Sequence, residues 1–310
     1  MKKIVITEFM DLPAVASLRK GFNVVYDPSL VDDEDRLLVE VVDADAVVVR
    51  NRTQMRGALL DACKKAVVVG RLGVGLDNID VAASATRGIT VIPASGANSL
   101  AVAEYVIGTC MVLLRGVYQC GSEVANGAWP RVQLSNGREA AGKTLGLVGF
   151  GGIGQLTARL AQNVGMQVVA YDPMLPEDDK VWALTGVERV NLNDLLAQAD
   201  AVSLHVPLTP ETRNLLSAER IARMKSGAIV INTARGGIAD ELAIAAAIKT
   251  GALGGAAFDV FEPEPLRADN PWVGCRNVIL TPHVAGVTAE ANTRVSTMIA
   301  AEVAKALGDQ

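Results

Sequence analysis

Three side chains in the second half of the chain have types that suit acid–base chemistry on a molecule that carries a carboxylate. Arg235 follows an apolar run, Glu264 stands between two prolines, and His283 follows Pro282. A guanidinium binds a carboxylate through two parallel hydrogen bonds and polarises a neighbouring carbonyl. An imidazolium donates a proton to a carbonyl oxygen, and a nearby glutamate favours and orients the charged ring. We therefore expect Arg235, Glu264 and His283 to form a catalytic set.

The chain has only two histidines, so any acid–base role for an imidazole falls to His205 or His283. Both follow apolar runs that suit parallel strands, and ligands of open parallel sheets bind beyond the carboxyl ends of the strands. We interpret His205 as a structural residue whose neighbours line one side of a cofactor site. The proton-transfer role is assigned to His283.

A glycine-rich loop joins the apolar run 144–148 to a stretch with helical spacing at 155–163. Gly149 permits a tight turn, Gly151 lets the backbone approach a pyrophosphate, and Gly154 lets the helix pack closely on the strand. Free N–H groups at the start of that helix favour phosphate. Asp172 lies 18 residues after Gly154, where an acid accepts hydrogen bonds from the ribose and repels a 2′-phosphate. The motif predicts NAD as the cofactor, in preference to NADP.

Short β-branched runs alternate with helical stretches along the chain, which is typical of parallel sheets covered by helices. Five such runs precede residue 98, and six follow residue 142, enough for a complete dinucleotide-binding sheet. The runs lie at 4–6, 24–26, 46–49, 66–69, 89–92, 144–148, 167–171, 201–205, 228–232, 256–260 and 278–281. Apolar spacing over 98–119 predicts a connecting helix.

We predict an α/β protein of two Rossmann-like domains with parallel sheets and a catalytic cleft between them. Residues 1–97 plus 286–310 are expected to form the substrate domain, and residues 98–285 the NAD-binding domain. A final helix over 288–307 places Val295, Ile299 and Val303 on one face. We expect that face to pack back on the first domain.

Composition excludes several classes of partner. The 310 residues include 29 Lys plus Arg and 34 Asp plus Glu without a basic run, which argues against nucleic acid. No stretch approaches the roughly 20 apolar residues that span a bilayer, and no signal peptide is evident. The four cysteines form no C-x-x-C pair, so we expect structural thiols, no metal and a cytoplasmic location.

The pattern resembles the D-isomer-specific 2-hydroxyacid dehydrogenase family over nearly the whole chain. Five motifs carry the resemblance in order, at residues 73–80, 142–154, 232–237, 259–265 and 281–283. The resemblance implies an enzyme that transfers a hydride between NAD(H) and a small D-2-hydroxy or 2-oxo acid. Substrates in this family include phosphoglycerate, glyoxylate, hydroxypyruvate and lactate. It also implies a homodimer, with the helix 98–119 and the following stretch as the interface.

The family's functional residues carry over onto this sequence by resemblance. The catalytic positions are Arg235, Glu264 and His283. With the glycine loop, the cofactor contacts are Gly149, Gly151, Gly152, Ile153, Gly154, Asp172, Val206, Pro207, Thr233, Ala234, Arg235, Asp259 and His283. The substrate carboxylate is expected on Arg235 and on the backbone around Asn51, Arg52, Val74 and Gly75. Many relatives have a polar or basic residue where Gly152 stands. The glycine removes a side chain near the pyrophosphate, and the property that this departure affects is the affinity for the cofactor.

Arginines at positions 50, 52, 56 and 71 cluster near the expected carboxylate site. If one or two of them point inward, the substrate carries a second anion at C3, a phosphate or a sulfonate; the alternative is that they lie on the surface. Residues 6–11 are similar to the opening of members that act on sulfolactate. The chain ends after the last predicted helix, so we expect no regulatory domain of the kind that phosphoglycerate dehydrogenases add.

Two other functions remain open at this point. Formate dehydrogenases resemble this architecture but have glutamine where Glu264 stands, and Glu264 speaks against formate. A second alternative is an NAD-sensing corepressor or scaffold of the same fold without physiological turnover. Such relatives can retain the catalytic trio, and the absence of extended disordered termini argues against that role.

Overall fold

The computed structural model describes residues 1–308, and it divides the chain into two compact units. Unit 1 comprises Met1–Asn98 and Val287–Gln310, and unit 2 comprises Ser99–Gly286. The last two residues, which the predicted substrate domain includes, lie outside the described part. The functional roles of the two domains stay predictions.

Unit 1 is built on a parallel sheet of five strands. They are β1 (Lys3–Ile6), β2 (Asn23–Tyr26), β3 (Ala46–Val49), β4 (Val68–Arg71) and β5 (Thr90–Pro93), in the order β2-β1-β3-β4-β5. Between them lie α1 (Leu12–Leu18), α2 (Glu34–Glu40), α3 (Gly57–Ala62) and α4 (Val81–Thr86). The apolar run 66–69 predicts β4 two residues too early, because hydrophobic residues also fill the turn that enters the strand.

Unit 2 opens with the helices α5 (Ser99–Arg115) and α6 (Gly121–Ala125). Its sheet contains seven parallel strands in the order β12-β11-β10-β9-β6-β7-β8. The strands are β6 (Thr144–Val148), β7 (Gln167–Tyr171), β8 (Glu188–Arg189), β9 (Ala201–Leu204), β10 (Ala228–Asn232), β11 (Leu253–Phe258) and β12 (Val278–Leu280). The helices among them are α7 (Gly152–Asn163), α8 (Lys180–Thr185), α9 (Leu192–Gln198), α10 (Ala218–Ile221) and α11 (Glu241–Lys249).

Two sequence-based expectations for unit 2 need correction. The sheet has seven strands and not six, because β8 is a two-residue edge strand whose residues are both exposed. Such a strand has no apolar periodicity to detect. The connecting helix ends at Arg115 and not near residue 119, and a short 3-10 turn at Tyr118–Cys120 precedes α6.

The last helix, α12 (Ala289–Leu307), belongs to unit 1 although unit 2 separates it from the rest of that unit in sequence. The Thr288 hydroxyl caps it by accepting a hydrogen bond from the Ala291 N–H. Ile299 and Val303 are fully buried against the sheet. A Cβ on Gly70 of β4 would lie 2.8 Å from a methyl of each, so helix and strand are in close contact.

Apolar side chains fill both faces of each sheet, as the doubly covered parallel arrangement requires. Within residues 1–308, no single helix is long and apolar enough to cross a membrane; Ser99–Arg115 and Tyr118–Ala125 pass only as a pair bent by 78°. All four cysteines are free thiols. Burial raises the pKa of Cys63 to about 11 and that of Cys110 to about 12, so neither is a reactive thiolate at neutral pH.

Candidate active site

The glycine loop between β6 and α7 has two kinds of glycine. A Cβ on Gly149, whose φ is +97°, would lie 2.7 Å from the His205 carbonyl oxygen, and one on Gly154 would lie 2.5 Å from the Gly149 carbonyl oxygen. Protein backbone therefore requires glycine at these two positions. At Gly151 and Gly152 a Cβ would meet nothing within 4 Å. The space beside them is open to a ligand, at the point where α7 begins with unpaired N–H groups.

Asp172 follows β7 and joins the glycine loop to the next turn. One carboxylate oxygen accepts the Phe150 N–H at 2.8 Å, and the other accepts the Met174 N–H at 2.9 Å. Each oxygen keeps a further lone pair for another donor. The acid is held rigidly at the carboxyl end of the strand, which is where the ribose of a dinucleotide is expected.

The turn after β10 carries Thr233, Ala234 and Arg235. The Asn232 side chain holds this turn by accepting the Ala234 N–H at 3.0 Å and donating to the Arg235 carbonyl oxygen at 2.8 Å. The Arg235 guanidinium donates to the Ala234 carbonyl oxygen at 2.6 Å. The Thr233 hydroxyl is buried and has no hydrogen-bond partner within residues 1–308. A buried hydroxyl of this kind is costly unless a ligand satisfies it.

These observations fit a dinucleotide cofactor. Open backbone stands at two glycines, the Asp172 carboxylate is fixed at the carboxyl end of β7, and a buried hydroxyl lacks a partner in the described chain. No metal site accompanies them: residues 1–308 contain no group of three or more His, Cys, Asp or Glu side chains that could hold an ion.

Glu264 and His283 form a hydrogen-bonded pair. The distance between His283 Nδ1 and one Glu264 oxygen is 2.9 Å, and the other Glu264 oxygen accepts the Phe261 N–H at 3.0 Å. Glu264 is thus tied to its own loop while it faces the ring. The pairing uses Nδ1 of the imidazole and directs Nε2 away from the glutamate, which is the arrangement a proton-transfer group needs.

Asp259, which the family resemblance implies as a cofactor contact, is 1% exposed and engaged in several hydrogen bonds within unit 2. Its carboxylate accepts the Val284 and Ala285 N–H groups, both at 2.8 Å, and the Thr281 hydroxyl at 2.6 Å. These three donors flank His283 in sequence. In this structure the side chain therefore organises the loop that carries the histidine.

His205 lies just after β9, beside the glycine loop. Its Nε2 lies 3.0 Å from the Ser203 hydroxyl, and burial lowers the pKa of His205 to about 4. The ring is therefore neutral at pH 7, which favours the structural interpretation over acid–base work. Val206 follows it and approaches Gly149 closely, while Pro207 is exposed.

In unit 1, the loop after β3 carries Asn51 and Arg52 and is held by two side chains that sequence reasoning missed. The buried Glu8 carboxylate accepts the N–H groups of Arg50 at 2.8 Å, Arg52 at 3.1 Å and Thr53 at 3.0 Å. Asn78 donates to the Thr53 carbonyl oxygen at 2.7 Å. The Arg52 N–H is thus already used by Glu8.

The same unit presents the other two residues of the expected carboxylate site. Val74 is 39% exposed, and Gly75 is partly exposed. Both belong to the loop that follows β4 and leads to Asn78. Short runs of consecutive apolar residues predict β3 and β4 from the sequence, but a single acid such as Glu8 gives no comparable signal.

The four arginines of unit 1 differ in their surroundings. The guanidinium of Arg52 is exposed and pairs with Asp32, and that of Arg56 donates to the Asp77 carbonyl oxygen. Arg71 donates to the Leu72 carbonyl oxygen at 2.9 Å. Arg50 is half-buried: it lies 5.6 Å from the Phe9 ring centroid and donates to the Asn292 side chain at 2.8 Å.

Arg50 makes no ion pair within residues 1–308. Burial lowers the pKa of Arg50, although Glu8 nearby opposes that shift. A guanidinium stays charged even so. A half-buried cation without a carboxylate partner is a candidate for binding an anionic group.

Comparison with known proteins places this chain among one group of enzymes. Residues 107–285 match the family model described as D-isomer specific 2-hydroxyacid dehydrogenase, NAD binding domain. The (S)-sulfolactate dehydrogenase of Chromohalobacter salexigens is 51% identical over 99% of both chains. The D-3-phosphoglycerate dehydrogenase of Methanocaldococcus jannaschii is 41% identical over 99% of this chain, which spans 58% of that longer protein.

A solved structure gives the same result for the fold. The NAD-dependent formate dehydrogenase of Staphylococcus aureus, solved in complex with NAD, superposes with a TM-score of 0.80 at 28% identity. The match covers 98% of this chain and 95% of that one. The predicted α/β fold with two parallel sheets is confirmed.

Proposed function

The chain belongs to the D-isomer specific 2-hydroxyacid dehydrogenase family, and we propose that its substrate is a 2-hydroxy or 2-oxo acid with a sulfonate on C3. It is an NAD-dependent oxidoreductase of that family. The observation that carries the proposal for the substrate is the 51% identity, over 99% of both chains, to an (S)-sulfolactate dehydrogenase. The relatives named above are dehydrogenases, and none of them is named as a corepressor.

Arg50 is the residue we assign to the sulfonate. Its guanidinium is held by Asn292 and Phe9, so it is pre-organised, and it forms no ion pair with a carboxylate within the described residues, although Glu8 lies nearby. Its burial strengthens an interaction with an incoming anion because water screens it less. The guanidinium of Arg52 pairs with Asp32 at the surface, so Arg52 contributes less to binding of the sulfonate.

For the substrate carboxylate we propose backbone donors from unit 1 and the guanidinium of Arg235. Asn51, Val74 and Gly75 lie on loops that follow β3 and β4, and Glu8 fixes the first of these loops. Arg52 supplies loop structure here, since its N–H donates to Glu8. Arg235 can bind the carboxylate through two parallel hydrogen bonds, and it places positive charge beside the carbonyl of a 2-oxo acid.

For the chemical step we propose that His283 moves the proton. NAD(H), when bound, would supply the hydride to C2 of the 2-oxo acid or accept it from C2 of the 2-hydroxy acid. Glu264 holds Nδ1 of the imidazole at 2.9 Å, and Nε2 donates a proton to the C2 oxygen during reduction and takes it back during oxidation. Arg235 stabilises the charge that develops on that oxygen.

Cofactor binding is proposed for residues at the carboxyl ends of the unit 2 strands. Gly151, Gly152 and Ile153 offer backbone to the pyrophosphate at the start of α7, with Gly149 and Gly154 shaping the turn. Asp172 accepts hydrogen bonds from the ribose hydroxyls, and the buried Thr233 hydroxyl gains a hydrogen-bond partner in the cofactor. The remaining proposed contacts are Val206, Pro207, Ala234, Arg235, Asp259 and His283.

We further propose that the protein is a homodimer in the cytoplasm. The segment after α5 exposes several large apolar side chains, which are Tyr118, Val124, Trp129 and Val132. Trp129 and Val132 are 78% and 81% exposed, and grouped apolar side chains of this size mark interaction surfaces. The free thiols fit a reducing compartment.

The substrate is tested with a panel of 2-oxo acids and NADH. We expect kcat/KM for 3-sulfopyruvate to exceed that for hydroxypyruvate by about 10-fold or more, because a charge-assisted hydrogen bond in a half-buried site contributes that much. Arg50→Met should remove most of the preference, whereas Arg36→Met, which loses an exposed pair with Asp27, should retain it.

Each alternative outcome of the panel has a distinct meaning. Equal use of hydroxypyruvate contradicts a second-anion site. A preference for 3-phosphohydroxypyruvate keeps the site and replaces the sulfonate with a phosphate. Absence of turnover with every 2-oxo acid favours the sensor role.

The catalytic assignment is tested with His283→Ala and Arg235→Ala. We expect His283→Ala to lower kcat by about 10²-fold or more, because general acid–base catalysis contributes at least that much. Arg235→Ala should lower kcat and also raise KM for the 2-oxo acid, since it loses carboxylate binding. The circular dichroism spectrum and the melting temperature of each variant serve as the control for folding. Undiminished reduction by His283→Ala refutes its role.

The ribose assignment is tested with Asp172→Asn and Asp172→Ala. Wild-type protein should prefer NADH to NADPH, because the carboxylate repels a 2′-phosphate. Asp172→Asn keeps the shape and removes the charge, so we expect the ratio of kcat/KM values for NADPH and NADH to rise by about 10-fold or more. Equal use of both cofactors by the wild type contradicts this assignment.

The oligomeric state is measured by size-exclusion chromatography with light scattering. We expect twice the chain mass of 32.5 kDa. Trp129→Arg should shift the mass towards the monomer, because it places charge in the proposed interface. Leu184→Arg, at an equally exposed apolar position on α8, is the matched control. A wild-type monomer at micromolar concentration disproves the dimer.

A further inference from the structure

We propose that Tyr105 and Thr281 are positioning residues that set the orientation of His283 through the buried carboxylate of Asp259. This inference rests on the catalytic role proposed for His283. It adds two hydroxyl groups, one on α5 and one at the end of β12, to the residues on which turnover depends. Neither hydroxyl touches the imidazole, so each acts through another group.

The backbone of His283 is in the left-handed region, with a φ of +57°. A left-handed conformation is unfavourable for a residue other than glycine, because its Cβ comes too close to a backbone carbonyl oxygen. It persists only where the surrounding structure enforces it. The exposed pair between His283 and Glu264 is too weak to enforce this conformation, because ion pairs at a protein surface contribute little to stability.

Asp259 supplies the missing constraint. Its carbonyl oxygen accepts the His283 N–H at 2.8 Å, and its two carboxylate oxygens accept the Val284 and Ala285 N–H groups, both at 2.8 Å. Three consecutive amides therefore converge on one residue that is 1% exposed. Hydrogen bonds to a buried carboxylate are roughly twice as strong as neutral ones, so the loop conformation depends on where this carboxylate sits.

Thr281 and Tyr105 fix that carboxylate from its other side. The Thr281 hydroxyl donates to the Asp259 oxygen at 2.6 Å. Because a hydroxyl has one proton, the 2.6 Å contact between Thr281 and the Tyr105 hydroxyl must have tyrosine as the donor. Burial raises the pKa of Tyr105; the hydrogen bond with Thr281 opposes that shift and the charge of Asp259 adds to it, with a net increase. The Tyr105 hydroxyl therefore keeps the proton that it donates.

The result is a chain of hydrogen bonds, here called the relay. It runs from the Tyr105 hydroxyl to the Thr281 hydroxyl, then to the Asp259 carboxylate, which accepts N–H groups from the loop that contains His283. Tyr105 lies on α5, whose neighbouring residues Val106 and Ile107 are buried in the unit 2 core. The relay therefore ties the histidine loop to a packed helix. Loss of either hydroxyl leaves the fold intact but lets the carboxylate, and with it the loop, adopt other positions.

The kinetic test is a double-mutant cycle on Tyr105→Phe and Thr281→Val. We expect Thr281→Val to lower kcat about 10-fold through misplacement of the imidazole, and Tyr105→Phe to lower it about 3-fold. KM for NADH should change less than kcat. Tyr105→Phe should have no further effect in the Thr281→Val background, because tyrosine acts only through threonine.

Two matched variants separate positioning from general loss of stability. Thr281→Ser keeps the hydroxyl and should restore most of the wild-type kcat. Thr109→Val removes a hydroxyl whose hydrogen bonds within residues 1–308 go to the carbonyl oxygens of Tyr105 and Val106 in its own helix, and it should leave kcat unchanged. Equal fold-losses for Tyr105→Phe in both backgrounds, or a Thr281→Ser variant as impaired as Thr281→Val, would overturn the relay.

A second measurement needs no turnover and so separates this inference from the proposed function. The chain has two histidines, so protein labelled with ¹³C at the imidazole gives two ring signals, which His283→Ala assigns. Thr281→Val should move or broaden the His283 signal and leave that of His205 in place. An unchanged His283 signal refutes the relay, whereas failure of the wild type to reduce any 2-oxo acid counts against the proposed function alone.

Discussion

Buried backbone N–H groups need acceptors, and in each unit the loops of the candidate site meet that need with one buried carboxylate. Glu8 accepts three amides of the loop after β3, and Asp259 accepts amides of the loop after β12. Neither acid is free to serve as a simple surface charge. Because an unpaired buried amide costs about 1–3 kcal/mol, each loop is tied to the position of its carboxylate.

The groups proposed for chemistry are themselves exposed, and the backbone beneath them sets their positions. Glu264 and His283 have side chains that are 38% and 45% exposed, and they touch each other at 2.9 Å. Such a pair gains little stability from its own contact. Its geometry comes from the backbone beneath it, where the Asp259 network and the Phe261 amide act. The buried hydrogen bonds fix the loops, and the exposed side chains on those loops are the ones proposed to react.

Much of the fold could be predicted from the sequence because its signals are periodic and local. Strands such as Thr144–Val148 and Gln167–Tyr171 are continuous apolar runs, and the glycine loop has fixed spacing. The edge strand Glu188–Arg189 has no such pattern and was missed. In the site, Glu264 and His283 come from recognisable motifs and are hydrogen-bonded to each other, while their catalytic role stays a prediction. Glu8, Asn78 and Tyr105 act through contacts between residues far apart in the chain, which no local pattern reveals.

The return of α12 to unit 1 has a consequence for how the chain is made. Its residues 289–307 follow all of unit 2, yet Ile299 and Val303 cover the strand that contains Gly70. During synthesis from the N-terminus, unit 2 is a continuous segment and has all its strands before α12 leaves the ribosome. Until α12 has been synthesised, the apolar face of the unit 1 sheet that it covers stays exposed. The nascent form of unit 1 therefore exposes apolar surface until α12 has been made, and such surface favours aggregation.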